Sequence, residues 1–162
     1  MRLGFVVRPL GRPNLKPYDS RRWQNRPHLT VSLAYLRDIF AYCREARLDM
    51  YRMATDLAPY ATHPTLSGFN NQVAESGAEL AELGAQARAA GIRLSFHTHQ
   101  AASINSPDAR VATQTAAQVT LLAAILDGMG LGAEAVIVTH LGGVYGDPGA
   151  ALAVDADEVG RL

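Results

Sequence analysis

One short run limits the architecture more than any other feature of this chain. Ala135-Val136-Ile137-Val138-Thr139 is apolar without alternation. A strand of that kind is expected where both faces of a parallel sheet are covered. Strand signals recur at intervals of one strand plus one helix: Arg2–Val7, Asp49–Ala54, Arg93–His97 and Ala135–His140. Between them lie helical patterns. The first runs from a cap at Thr30 to about Leu48, with Leu33, Leu36, Phe40 and Cys43 forming one apolar stripe at spacings of three and four. The second runs from Ala74 to Ala90, where Gly91 stops it. The third starts with Ser106 as cap and Pro107 as first helical residue, and continues to about Met129 before Gly130. A fourth begins near Ala150.

Four successive βα units require a parallel sheet with right-handed crossovers. Two architectures satisfy that order, an open doubly wound sheet or a (β/α)₈ barrel. The chain has no G-x-G-x-x-G after its first strand and no G-x-x-x-x-G-K-[ST], so nucleotide binding of either standard kind is unsupported. A full barrel takes about 250 residues, and four units are half of one. The expected fold is α/β with parallel strands, either an open doubly wound sheet or (βα) units forming about half of a TIM-type barrel. Residues 1–162 make one domain, and residues 8–28, rich in Pro, Arg, Asn and Gly, form a long basic loop inserted into it. The last residues, Ala156 to Leu162, stop inside a predicted helix, which reads as a chain cut short.

A net charge of zero conceals a strong asymmetry. Residues 1–52 carry eleven basic and four acidic side chains, and the remainder carries four basic and eleven acidic ones. The basic excess peaks at Arg8, Arg12, Lys16, Arg21, Arg22 and Arg26. Such a cluster suits a polyanion, or equally a solvated loop. Trp23 lies within it, placed either to stack on a base or to pin the loop to the core. No apolar run approaches the 18 or more residues that cross a bilayer, and the apolar stretch at the N-terminus is too short for a secretory signal. The single cysteine, Cys43, reads as a buried helix residue and fits a cytoplasmic location.

The chemistry resides in histidines. His97 and His140 end consecutive strands, and that end of a parallel strand is where active sites are built. Adjacent strands lie roughly 4.8 Å apart, so both rings can reach one metal ion at about 2.1 Å. A hydrolytic site normally adds carboxylates to such a pair. Asp56, in the loop after the second strand, is a poor candidate. His63 precedes Pro64, which holds it extended in the same loop. His99, two residues beyond His97, either lines the loop after the third strand or, if the backbone stays extended, adds a further ligand, and His28 has no evident partner in the sequence. Gly142 and Gly143 permit either close approach of a phosphate or a tight turn.

Several of these stretches, in order, resemble one family. Tyr51-Arg52-Met53, Pro59-Tyr60-Ala61-Thr62-His63-Pro64, Leu94-Ser95-Phe96-His97-Thr98-His99-Gln100 and His140-Leu141-Gly142-Gly143-Val144-Tyr145-Gly146 are similar to segments of the UV damage endonucleases, as is Arg2-Leu3-Gly4-Phe5. The resemblance implies a (β/α)₈ barrel holding divalent ions, typically manganese, at its C-terminal mouth. It implies a metal-dependent hydrolase that nicks damaged double-stranded DNA on the 5′ side of UV photoproducts. By motif match His97 and His140 are metal ligands, His63 stands near the scissile phosphate, and Gln100 is the polar half of a pair that probes the duplex. The arginines Arg8, Arg12, Arg21, Arg22 and Arg26 would contact DNA phosphates. Zn²⁺, Mg²⁺ and Co²⁺ are alternative ions. The chain departs from the family at Ala101, which removes the aromatic half of the probe. It departs also at His99 and Thr98, which replace Gly and Pro, and at Phe5, which replaces Tyr. The family's remaining ligands lie in a second half of the barrel absent from this chain, so the chain alone is expected to be inactive.

Two other readings remain open at this point. A sugar isomerase or epimerase-like barrel also gathers metal at strand ends, although the basic loop argues against it. A non-catalytic barrel fragment is the other. Its two open sheet edges invite pairing with another chain, and a homodimer of half-barrels would close the structure.

Overall fold

The four strand signals pair in the order in which they occur. A computed structural model of the chain describes residues 2–140 and, beyond them, 143 and 149. Strands β1 (Gly4–Val6), β2 (Met50–Arg52), β3 (Arg93–His97) and β4 (Val136–Val138) form one parallel sheet in the order β1-β2-β3-β4. A doubly wound sheet reverses its strand order at a switch point. This sheet does not, and its winding is that of a barrel segment.

Helices α1 (Leu29–Glu45), the single turn α2 (Gln72–Glu75), α3 (Gly77–Ala89) and α4 (Ala109–Gly128) complete the described elements. The apolar stripe foreseen on the first helix is the one that buries: Leu33, Leu36, Phe40 and Cys43 all enter the core. There they meet Tyr51, Leu94 and Phe96 from the sheet and Leu80, Leu83, Leu122 and Ile125 from α3 and α4. These sheet residues share one face, because side chains alternate along a strand. The alternate row, Val6, Arg52, Ser95 and Val136 in register, lies on the other face. No described helix covers it. Burying a core side chain such as Leu36 contributes about 1.5–3 kcal/mol, so the helix-covered face supplies most of the stability. Close packing of α3 on the end of α4 needs Gly84, where a Cβ would overlap the Met129 carbonyl.

Several local expectations change. The run at Val136–Val138 is not covered on both faces: Val138 is 47% exposed, because it shares with Val136 the sheet face that no described helix covers, on the edge strand of the described sheet. The predicted second helix is two segments, α2 and α3, separated at Ser76. The cap of α1 is His28, whose Nδ1 accepts from the Thr30 N–H at 3.2 Å. The cap of α4 is Asp108, whose Oδ1 accepts from the Arg110 N–H at 2.9 Å. Ser106 instead accepts from the Asp108 N–H, which places Pro107 one residue before the cap. Gly91 and Gly130 both adopt positive φ, 66° and 60°, as their stop positions require. The fourth predicted helix, near Ala150, lies outside the described residues.

One buried carboxylate ties the basic loop to α1. Asp19, the lone acidic residue of 8–28, is 1% exposed. Its carboxylate accepts from Arg21 Nε at 2.8 Å, Arg21 Nη2 at 2.6 Å and the His28 N–H at 3.0 Å. Its own N–H donates to Ser32 Oγ on α1 at 2.9 Å. Trp23, by contrast, does not pin the loop, since it is 49% exposed. Burial works against the Asp19 charge, but the Arg21 fork and the two backbone N–H donors outweigh it and hold the carboxyl below its ordinary range. A depressed folded pKa stabilises above the unfolded value, and that contribution disappears as pH falls through the folded value. Asp19→Ala should therefore lower the unfolding free energy by about 1.5–3 kcal/mol near neutral pH. The difference from wild type should shrink below pH 4. Urea unfolding at pH 7 and at pH 3 measures both.

Candidate functional site

Register brings the two strand-end histidines together. His97 pairs with Val138 across the β3–β4 ladder, and His140 follows two residues later, bridged to Ser103. The His97 and His140 ring centroids stand 4.8 Å apart at 66°, edge to face. His97 Nδ1 lies 2.8 Å from the Thr98 carbonyl oxygen. A carbonyl only accepts, so Nδ1 carries the proton and the Nε2 lone pair is left for a ligand. His140 Nε2 is buried with no hydrogen-bond partner among the described residues. A buried orphan nitrogen costs free energy unless something binds it. The donor set, two adjacent imidazoles, fits a first-row divalent ion. Among the described residues no third His, Cys, Asp or Glu joins them.

The other histidines lie elsewhere. His63 and His99 line a cleft of about 420 Å³ with Tyr18, Arg21, Asp56, Tyr60 and Gln118. His99 Nε2 is 3.5 Å from Asp56 Oδ1, and both side chains are about half exposed. This uses the Asp56 carboxylate on His99 rather than on the histidine pair. His63 Nδ1 accepts from the Thr65 N–H at 3.3 Å, so in the neutral ring Nε2 carries the hydrogen. The loop that bears His63 is braced by Gln72, buried at 1% exposure. Gln72 Nε2 donates to Pro59 O at 2.7 Å and to Phe69 O at 2.9 Å, while its Oε1 accepts from the Leu29 N–H at 2.7 Å. Tyr60 in that loop holds φ of 59°, a left-handed conformation that side chains seldom adopt without surrounding support.

The arginines divide into groups. Arg21 lines the cleft with its fork on Asp19. Arg8 is close enough to Tyr18 to offset part of the rise that burial, and then Asp56, impose on that hydroxyl. Arg22 and Arg26 are exposed beside the 3₁₀ turn Trp23–Asn25. Arg12 sits apart, its guanidinium 5.4 Å from the Tyr42 ring centroid in a hollow shared with Asp38 and Glu45. Gln100 is exposed directly after β3. His28 gains the partners the sequence did not reveal, Thr30 Oγ1 and Glu75 Oε2, both at 3.0 Å. Gly143 accepts from Asn105 Nδ2 at 3.5 Å, and Gly142 lies outside the described residues. Sequence reasoning missed Asp19, Gln72 and Thr98. Asp19 carried a signal, as the one acid among the arginines, and Thr98 only that of a departure from Pro.

Known proteins share this arrangement of elements. The family described as UV-endonuclease UvdE matches residues 21–161. A UV DNA damage endonuclease of Bacillus velezensis is 31% identical over 105 residues, which cover 65% of this chain and 32% of that protein. One from Bacillus pumilus is 30% identical over the same shares. A solved structure, "Crystal Structure of SacUVDE", aligns with a TM-score of 0.85 over 100% of this chain and 56% of that one, at 21% identity. That likeness concerns the fold. The chain spans about a third of the length of these two curated relatives.

The geometry separates the histidines by place, and metal titration should separate them by role. His97→Ala and His140→Ala should each weaken Co²⁺ binding by more than about tenfold, since half of the described donor set is lost. His63→Ala should leave it unchanged. Isothermal titration calorimetry on the three variants checks the assignment.

Proposed function

The chain belongs to the UV-endonuclease UvdE family, and from that premise we propose that it carries the His97–His140 portion of a metal-dependent site that incises DNA on the 5′ side of UV photoproducts. The observation that carries this reading is the histidine pair, with one Nδ1 committed to a carbonyl and one buried Nε2 without a partner. His97 and His140 would hold a divalent ion, with Mn²⁺ foremost and Zn²⁺, Mg²⁺ or Co²⁺ as alternatives. When bound, the ion supplies Lewis acidity toward a phosphodiester oxygen.

The chain's own residues bind and orient. His63, with its Nδ1 engaged by Thr65, offers an Nε2–H donor to a phosphate oxygen at the cleft. Arg8, Arg22 and Arg26 provide positive charge along the loop beside it, a sequence-independent contribution that weakens with salt, while the charge of Arg21 is largely offset by Asp19. Arg12 contributes less, because Asp38 and Glu45 share its hollow. Gln100 meets the duplex at the mouth. Damaged double-stranded DNA is the proposed partner. No helix among the described residues is long and apolar enough to cross a membrane, and a cytoplasmic location accords with a DNA substrate.

Two neutral imidazoles leave most of a divalent ion's charge uncompensated. The chain alone is therefore proposed to bind UV-irradiated duplex without nicking it. Fluorescence anisotropy in a salt series tests the binding: Arg22→Ala with Arg26→Ala should reduce the salt slope by about 1.8. Absence of any salt-dependent affinity would sink the DNA reading. Incision of UV-irradiated plasmid in Mn²⁺, abolished by His140→Ala, would instead uphold the nuclease and refute the claim of inactivity.

The two open edges of the described sheet support one further partner, a second copy of the chain pairing along β1 and β4. Sedimentation velocity at micromolar concentration should show a dimer, and a single monomeric boundary would dismiss it.

A further inference from the structure

The distance between two imidazoles at strand ends depends on how both backbones leave the sheet, and Thr98 controls that exit. Its N–H donates to Val138 O at 2.9 Å, extending the β3–β4 ladder by one bond. Its carbonyl accepts from His97 Nδ1. Its Oγ1 donates to Thr139 Oγ1 at 3.3 Å, and the residue is 2% exposed. Thr98 directly follows His97, and Thr139 directly precedes His140. One hydroxyl-to-hydroxyl bond thus joins the residue after one imidazole to the residue before the other. From the opposite flank, Thr55 Oγ1 donates to His97 O at 2.8 Å, so the β3 terminus is held on both sides.

We propose that the Thr98–Thr139 hydroxyl pair is a positioning device that fixes the His97 and His140 rings at the separation one first-row divalent cation requires. The proposal rests on the metal reading above and deepens it. Proline at position 98 could still offer its carbonyl to His97, but it has neither the N–H nor the hydroxyl. The brace therefore needs threonine or serine. Groups that orient ligands from behind typically control metal affinity by about 10–100-fold.

The test uses the full chain and the variants Thr98→Val, Thr98→Ser and Thr139→Val. Valine keeps the shape and the backbone bonds and removes the hydroxyl. In the metal-free protein, the ring-proton shifts of His97 and His140 and the cross-relaxation between them report the edge-to-face pair directly. Thr98→Val and Thr139→Val should both move these shifts and weaken Co²⁺ binding by about tenfold or more, and Thr98→Ser should restore both. A hydroxyl that served stability alone would lower the thermal midpoint and leave the ring shifts in place. Ring shifts and Co²⁺ affinity unchanged in Thr98→Val would overturn the proposal. If that variant does not fold, Thr139→Val removes the same bond from the other strand and decides the matter by the same criteria. A wild-type chain that binds no Co²⁺ refutes the metal reading and with it this role.

Discussion

Parallel pairing of β3 with β4 is the constraint on which the candidate site depends. Three register pairs, Ser95 with Val136, Phe96 with Ile137 and His97 with Val138, determine where each strand ends and hence where His97 and His140 emerge. The pairing in turn depends on α4, the crossover between the two strands, which buries Leu122 and Ile125 in the core. A slip of one residue would reverse the facing of every side chain on the moved strand. Phe96 would leave the helix-covered face while His97 turned into the core. The apolar burial that stabilises the fold therefore also enforces the histidine geometry.

Stability and chemistry occupy different faces of the sheet. The helix-covered face contains Tyr51, Leu94 and Phe96, all fully buried. The opposite face and the C-terminal ends of the strands carry Arg52, Arg93, Ser95 and His97. Arg93 is used structurally, since its Nε donates to Glu134 O at 2.7 Å, and Arg2 forms a bidentate pair with the Glu134 carboxylate. These contacts join the first and last described strands at their N-terminal ends and leave the C-terminal ends to the histidines.

Much of this was legible in the sequence because it rests on periodicity and on backbone rules. The bounds of β3, the stripe on α1, and the stops at Gly91 and Gly130 follow from apolar spacing and from the φ values that glycine tolerates. The helix caps were not legible. His28 and Asp108 won those positions through local geometry that Thr30 and Ser106 could have satisfied equally well on paper. The exposure of Val138 was hidden for another reason, since an unalternating apolar strand reads the same whether one face or both are covered. The splitting of the histidines into a strand-end pair and a cleft pair was half visible. Strand-end positions announced His97 and His140, but the association of His99 with Asp56 and His63 depends on loop paths that no periodicity encodes. Gln72 gave no signal and Thr98 only that of a departure from Pro, because a buried amide or hydroxyl is recognised by its partners and not by its neighbours in the chain.

The Gln72 side chain has a consequence for how the two mobile-looking segments of sequence share their entropy. Its amide holds Pro59 and Phe69, which bracket His63, and its oxygen holds Leu29, the first residue of α1. His28, one residue earlier, accepts no independent motion either, since its N–H is bound to Asp19 in the arginine-bearing loop. Hydrogen bonds and the 28–29 backbone therefore connect Arg21, through Asp19 and Gln72, to the two ends of the segment that carries His63. A polyanion that settles on one segment finds the other already ordered, so the conformational cost of assembling both contact surfaces is met during folding and is not deducted from affinity a second time.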